Sequence, residues 1–277
     1  MSAADHQQSP TTDGPMHRYA QAIETGALKP DPAQGAVIER LQQLHDMLER
    51  TQDGGAEHGG FLARLGSSLW GAGAKAASGR PNSGKPSRSS GPRGLYIHGP
   101  VGRGKSMVMD LFFDTAPVKP KRRVHFHAFM QDIHKRLNAL RQEAENGGQE
   151  DAIGVLTSTI AAEARLLCFD EFHVQNIADA MILGRLFDKL IDAGLIMVAT
   201  SNFPPDRLYE NGLNRDRFEP FIERLKAELD VVGLAGPTDY RLERLQDVPV
   251  YYCPTGPKSN GALDKIFAIL TDDADGT

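Results

Sequence analysis

The stretch "GPVGRGKS" constrains this chain more than any other. Gly99, Pro100, Val101, Gly102, Arg103, Gly104, Lys105 and Ser106 fit the pattern G-x-x-x-x-G-K-[ST], which works only between a β-strand and a helix N-terminus. Both flanks are present. "GLYIHG" (94–99) is an apolar run of strand length, and "SMVMDLFF" follows with a helical pattern. In that setting the glycines let the backbone wrap closely round phosphate, and successive N–H groups at the helix start donate to the anion. Lys105 would reach the β and γ phosphates and the Ser106 hydroxyl would hold Mg²⁺, so ATP with Mg²⁺ is the expected cofactor. A glycine-rich turn that binds nothing is the competing reading, and the complete motif in its strand-to-helix setting outweighs it. "SGKPS" (83–87) is a decoy, because Pro86 stands where the serine or threonine is needed.

Four further apolar runs read as strands: "RVHFHAF" (123–129), "LLCFDE" (166–171), "LIMVATSN" (195–202) and "ELDVVGL" (228–234). Between them Ile153, Leu156 and Ile160 fit one helix, and Leu183, Phe187, Leu190 and Ile191 fit another. Strands alternating with helices, the strands continuously apolar, predict an α/β fold with a mainly parallel five-stranded sheet flanked by helices.

"RLLCFDEFHVQ" (165–175) ends an apolar strand with two acids, Asp170 and Glu171. Strand ends of this kind are where ligands gather in open α/β sheets. Asp170 is placed as the second Mg²⁺ contact and Glu171 as the carboxylate that polarises an attacking water. Two neighbouring anions are compatible if the metal neutralises one and the other faces solvent. Asn202, at the end of the next strand, could hydrogen-bond both the γ phosphate and that water. "NRDRFEPFI" offers Arg215 and Arg217, either of which could enter a neighbouring subunit's site in a homo-oligomer and stabilise transition-state charge. His125 and His127 on one face of their strand, with His134 on the next helix, make a metal site conceivable, but no acid or cysteine completes a ligand pattern, and packed histidines are expected instead.

The remainder of the chain divides by composition. Residues 1–16 are polar and predict a disordered tail. Residues 17–70 form a helical segment, in which Val37, Leu41, Leu44 and Leu48 recur at helical spacing behind Asp31 and Pro32. Residues 71–93, made largely of Gly, Ala, Ser and Pro with basic residues and no acid, predict a flexible linker. A core spans 94–245 and a last segment 246–277. The formal net charge of −5 offers no global basic surface for nucleic acid. Two distant cysteines, Cys168 and Cys253, argue for a reducing compartment, and no apolar run reaches the length of a membrane span, so a cytoplasmic protein is expected.

With those residues in view, the chain resembles the AFG/ZapE family of P-loop ATPases, relatives of the AAA+ proteins. The resemblance rests on "GLYIHGPVGRGKSMVMDLFF", "VHFHAFMQDIHKRL", "LLCFDEFHVQNIADAMILGRLF", "TSNFPPDRLYENGLNRDRFEPFI" and "DYRLERL", and extends to the opening segment "RYAQAIETGALKPDPAQ". It implies ATP hydrolysis on an AAA+-like core. Gly99 to Ser106 would be Walker A, Asp170 and Glu171 Walker B, Asn202 sensor 1, and Arg215 the preferred arginine finger with Arg217 second. Bacterial members are linked to cell division and the tubulin-like protein FtsZ, mitochondrial ones to protein quality control. Family members continue past "DKIFAILTDDADGT", so by this likeness 246–277 are an incomplete C-terminal segment.

The leading expectation is an ATPase acting on a protein client, with FtsZ a candidate. The alternatives are a nucleotide-gated protein-binding module with little turnover, a quality-control ATPase, and an AAA+-like helper on nucleic acid, which only the basic linker supports. A small-molecule kinase fits worst, since Glu171 and Asn202 suit attack by water.

Overall fold

The computed structural model describes residues 14–53, 94–145, 151–235, 260, 261 and 263. Most of the expected tail, the basic linker and nearly all of the last segment lie outside the described residues.

Two helices open the described chain. Helix α1 (Pro15–Glu24) begins with a proline, whose missing N–H costs nothing in a first turn. Helix α2 (Pro32–Asp53) begins in the same way, and the Asp31 carboxylate accepts a 2.8 Å hydrogen bond from the Ala33 N–H. As the spacing predicts, Val37, Leu41, Leu44 and Leu48 are all buried.

The core follows as β1 (Gly94–His98), α3 (Lys105–Thr115), β2 (Lys121–His125), α4 (Phe126–Glu145), α5 (Ala152–Glu163), β3 (Leu166–Asp170), α6 (Ile177–Asp192), β4 (Ile196–Ser201), α7 (Glu219–Glu228) and β5 (Leu229–Gly233). Two short 3₁₀ turns, Pro205–Arg207 and Arg215–Arg217, connect β4 to α7. The five strands form one sheet in the order β2-β3-β4-β1-β5 with every pairing parallel. All five expected strands are present and the α/β expectation holds.

Side chains alternate across the strands and so divide the core in two. Leu95, Ile97, Leu166, Cys168 and Val198 face one side, where they pack with α2 and α3 residues such as Leu41, Val108 and Phe112. Tyr96, Leu167, Phe169, Met197 and Ala199 face the other, against α4, α5, α6 and α7. There Phe169 meets Phe129 edge-on, with ring centroids 4.9 Å apart, and Phe187 at 5.7 Å. Such burial holds β3, and thus Asp170, rigidly: truncating a ring like Phe169 to Ala typically costs about 3–5 kcal/mol.

One expectation needs correction. The strand read at 123–129 ends at His125, and Phe126 already begins α4. The apparent alternation in "HFHAF" is the start of a helical stripe, Phe126, Phe129, Met130, Ile133 and Leu137, all buried in the core. His127 therefore lies in the first turn of a helix and does not share a strand face with His125.

Candidate active site

Three strand ends meet at one cleft. Strands β3, β4 and β1 are adjacent, so their C-terminal ends bring Asp170, Asn202 and the loop after His98 together at the carboxyl edge of the sheet. The cleft encloses about 670 Å³ and is lined by Val101 to Ser106, Asp170, Glu171 and Thr200 to Asn202. It is large enough for a nucleotide.

The loop owes its shape to glycine at two points. Gly104, the N-cap of α3, has φ 80°, a left-handed conformation that costs other L-residues energy. A Cβ on Gly99 would collide with the Leu234 carbonyl oxygen, so only glycine lets β1 leave the sheet there. With these constraints met, the first turn of α3 lines the cleft, where helix N-terminal N–H groups can donate to an anion.

Lys105 bridges the loop. Its ammonium donates to the carbonyls of Gly99 (2.8 Å) and Pro100 (2.7 Å) and to Asn202 Oδ1 (3.0 Å). Beside it, burial and the lysine's charge both push the His98 imidazole below its ordinary pKa. One residue on, Ser106 Oγ donates to Asp170 Oδ1 at 2.8 Å. A serine hydroxyl converging with a carboxylate is the hard oxygen pair that Mg²⁺ prefers, so the residues present fit the ion.

The two neighbouring acids lie in different environments. Asp170 is buried; its Oδ1 also accepts from Thr200 Oγ1 (2.6 Å), and its Oδ2 pairs with the Arg123 guanidinium (3.0 Å). Arg123 in turn holds Asp110 at 2.6 Å. Glu171 is exposed, with φ 55°, in the left-handed region that glutamate seldom adopts. Its N–H donates to Thr200 Oγ1 at 3.2 Å, so one hydroxyl joins both acids. The chain thus directs one carboxylate inward and turns the next out towards the cleft.

Arg215 is tied within its own fold. Its guanidinium donates to the carbonyls of Leu208 (3.1 Å) and Asp206 (2.6 Å). Arg217 is exposed, without a side-chain partner among the described residues. The histidines are not gathered: His134 binds the Asp179 carboxylate at 2.6 Å, while His127 contacts Gln131 at 3.0 Å.

Sequence reasoning missed several lining residues. Gly26, Ala27, Leu28 and Lys29, between α1 and α2, form one wall of the cleft with Gln34. Gln34 Nε2 donates to the Arg103 carbonyl at 3.1 Å, and Asp31 lies 3.4 Å from the Arg103 guanidinium. No local pattern marks these residues, because the contacts span some seventy positions. Thr200 did carry a signal, a hydroxyl at the end of an apolar strand.

A parallel sheet with a glycine loop, lysine and serine at one strand end and an acid pair two strands away defines a P-loop nucleoside triphosphatase-type protein. The chain belongs to the AFG1-like ATPase family, whose model matches residues 13–277. It is 37% identical over 256 residues to the cell division protein ZapE of Escherichia coli K12, covering 92% of this chain and 64% of that protein. It is 42% identical over 185 residues to lactation elevated protein 1 homolog B of Danio rerio, covering 65% of this chain and 37% of the relative. The chain thus spans less than two thirds of the length of these relatives. Among solved structures, the crystal structure of DnaI aligns with a TM-score of 0.39 and 15% identity, covering 54% of this chain and 73% of that one. Among the described residues no helix is long and apolar enough to cross a membrane.

Proposed function

We propose that this protein hydrolyses ATP and couples binding and turnover to action on a protein client. The observation that carries this reading is the continuous set Ser106, Asp170, Thr200 and Glu171, linked by hydrogen bonds of 2.6 to 3.2 Å beside Lys105 and Asn202. Ser106 and Asp170 would hold Mg²⁺, which when bound balances charge on the phosphates. The α3 N-terminus and Lys105 bind the phosphate oxygens and stabilise charge that grows as the β–γ bridge opens. Glu171 orients a water for in-line attack on the γ phosphorus and accepts its proton; the new P–O bond forms as the bond to ADP breaks. Asn202, already bonded to Lys105, can report whether the γ phosphate is present. A hydrolytic role suits an exposed Glu171 better than a purely binding one.

The similarity to a cell division protein supports a client in bacterial cell division, with FtsZ the first candidate and the cytoplasm the proposed compartment. A homo-oligomer would supply an arginine to the neighbouring site. Because Arg215 is occupied by two carbonyls, Arg217 is the better placed of the two for that role. Residues 94–245 are the proposed ATPase core.

The deciding experiment is ATP turnover by wild type and Glu171→Gln, with and without FtsZ polymer. Glu171→Gln should bind ATP with unchanged affinity and turn it over at least about 100-fold more slowly. Equal turnover by the two proteins would remove the hydrolytic role and leave a nucleotide-gated binding module. Stimulation by FtsZ supports that client; its absence redirects the search to other proteins.

A further inference from the structure

We propose that His45, Asp46 and Glu49 on α2 form a binding site for a divalent transition-metal ion, with Zn²⁺ the best match. His45 is only 3% exposed, and its Nε2 lies 3.1 Å from the Thr115 carbonyl oxygen. A carbonyl can only accept, so Nε2 carries a proton, and in that tautomer of the neutral ring Nδ1 presents a lone pair. That Nδ1 is buried and has no hydrogen-bond partner among the described residues. It faces Asp46 Oδ1 at 3.8 Å and Glu49 Oε2 at 3.9 Å, and the three ligand atoms all lie within 4.8 Å of one another.

Those separations suit an ion better than a proton. A proton on Nδ1 would find both carboxylates beyond hydrogen-bonding reach. A tetrahedral Zn²⁺ with ligands at about 2.0–2.2 Å holds them about 3.3 Å apart. The carboxylates need move inwards only slightly, and both side chains, 41% and 33% exposed, have room to do so. Residues four apart on a helix are neighbours, which brings His45 and Glu49 together.

The supporting shell is also present. The Thr115 carbonyl fixes the tautomer and orientation of the ring, as the outer partner of a ligating histidine commonly does. Gln42 Nε2 donates to Asp46 Oδ1 at 2.7 Å and steadies that carboxylate. One imidazole with two carboxylates favours Zn²⁺ over Mg²⁺ or Ca²⁺, which prefer all-oxygen sets. Three protein ligands leave a position for water on the exposed side.

The site is separate from the nucleotide cleft. Thr115 ends α3, so His45 lies at the far end of the helix that begins at Lys105, about 16 Å away for an 11-residue helix. The ligands are all on α2 and the ring's anchor is on α3, so metal binds the packed pair of helices and stabilises it.

The test is calorimetric titration of the full chain with Zn²⁺, together with imidazole ¹⁵N spectra. One saturable site is expected, with the His45 Nδ1 resonance moving on binding while Nε2 stays protonated. Asp46→Asn and Glu49→Gln, both at part-exposed positions, should each weaken binding at least about 10-fold. Zn²⁺ should raise the melting temperature of wild type and not that of Glu49→Gln. Affinity unchanged in the Asp46→Asn/Glu49→Gln double variant, with His45 unmoved, would assign the metal elsewhere and overturn the proposal. So would the absence of saturable binding with the His45 ring resonances unmoved by Zn²⁺.

Discussion

Lys105 Nζ donates to Asn202 Oδ1 across 3.0 Å, joining the phosphate loop to the end of β4. The ammonium also donates to the loop carbonyls of Gly99 and Pro100, so its donors are engaged within the protein. An arriving phosphate must exchange for these, and the exchange frees Asn202. Lys105→Ala is therefore expected to weaken ATP binding by about 100-fold or more. Asn202→Ala should leave binding within a few fold and reduce turnover by about 10- to 100-fold. Fluorescent nucleotide titration beside phosphate release measures both. Equal losses of binding in the two variants would show that Asn202 acts only as a prop for the lysine.

Glu171 holds a left-handed backbone, φ 55°, so that its carboxylate turns out while Asp170 turns in. That conformation costs a residue with a Cβ about 1–2 kcal/mol, and glycine's greater freedom in the unfolded chain returns part of it. Glu171→Gly is expected to raise stability by about 0.5–1 kcal/mol and to abolish turnover. Denaturant unfolding with a turnover assay on the same samples tests the pair of effects. A destabilised Glu171→Gly would mean that the glutamate side chain contributes to the fold as well as to the site.

The architecture was largely legible in the sequence, because parallel central strands are buried on both faces and announce themselves as continuous apolar runs. Leu166 to Phe169 and Met197 to Ala199 are such runs, and the polar residues that end them line the cleft. Local periodicity failed at "HFHAF", where the first turn of α4 imitates a strand for a few residues. It could not reveal the packing of α2 against the phosphate loop. Gln34 and Arg103 meet only because both are carried on elements that cover the same face of the sheet, and nothing local to either residue encodes that. Arg123 was equally hidden: its partnership with Asp170 follows from β2 pairing in register with β3, beyond what either strand says alone.

Gln34 offers a direct measure of that hidden contact. Its amide donates to the Arg103 carbonyl at 3.1 Å, and its Oε1 accepts from the Tyr19 hydroxyl at 3.3 Å. Gln34→Ala leaves both groups without this buried partner, an expected cost of about 1–3 kcal/mol. Since the freed carbonyl belongs to the phosphate loop, nucleotide binding should also weaken, by about 1 kcal/mol or roughly fivefold. Melting temperature with and without ATP separates the two losses. A variant that is less stable yet binds ATP normally would confine Gln34 to holding α1 and α2 together.

The last prediction concerns pH. Burial pushes the His173 imidazole below its ordinary value of 6.5, and the ring stacks on Phe203 with centroids 5.0 Å apart. Its Nδ1 is buried without a hydrogen-bond partner among the described residues, so the folded chain resists the charged form. As pH falls through 6.5, the unfolded chain takes up a proton at this site before the folded chain does, and stability falls with it. The loss stops growing only below the depressed folded pKa, where both states are protonated. His98 adds in the same direction, through burial and the neighbouring Lys105. The melting temperature is therefore expected to drop between pH 7.5 and 5.5, and His173→Gln should make that slope shallower without removing the part due to His98. An unchanged slope in His173→Gln would mean that its ring protonates in the fold as readily as in the unfolded chain, and that His98 or the carboxylates carry the acid sensitivity.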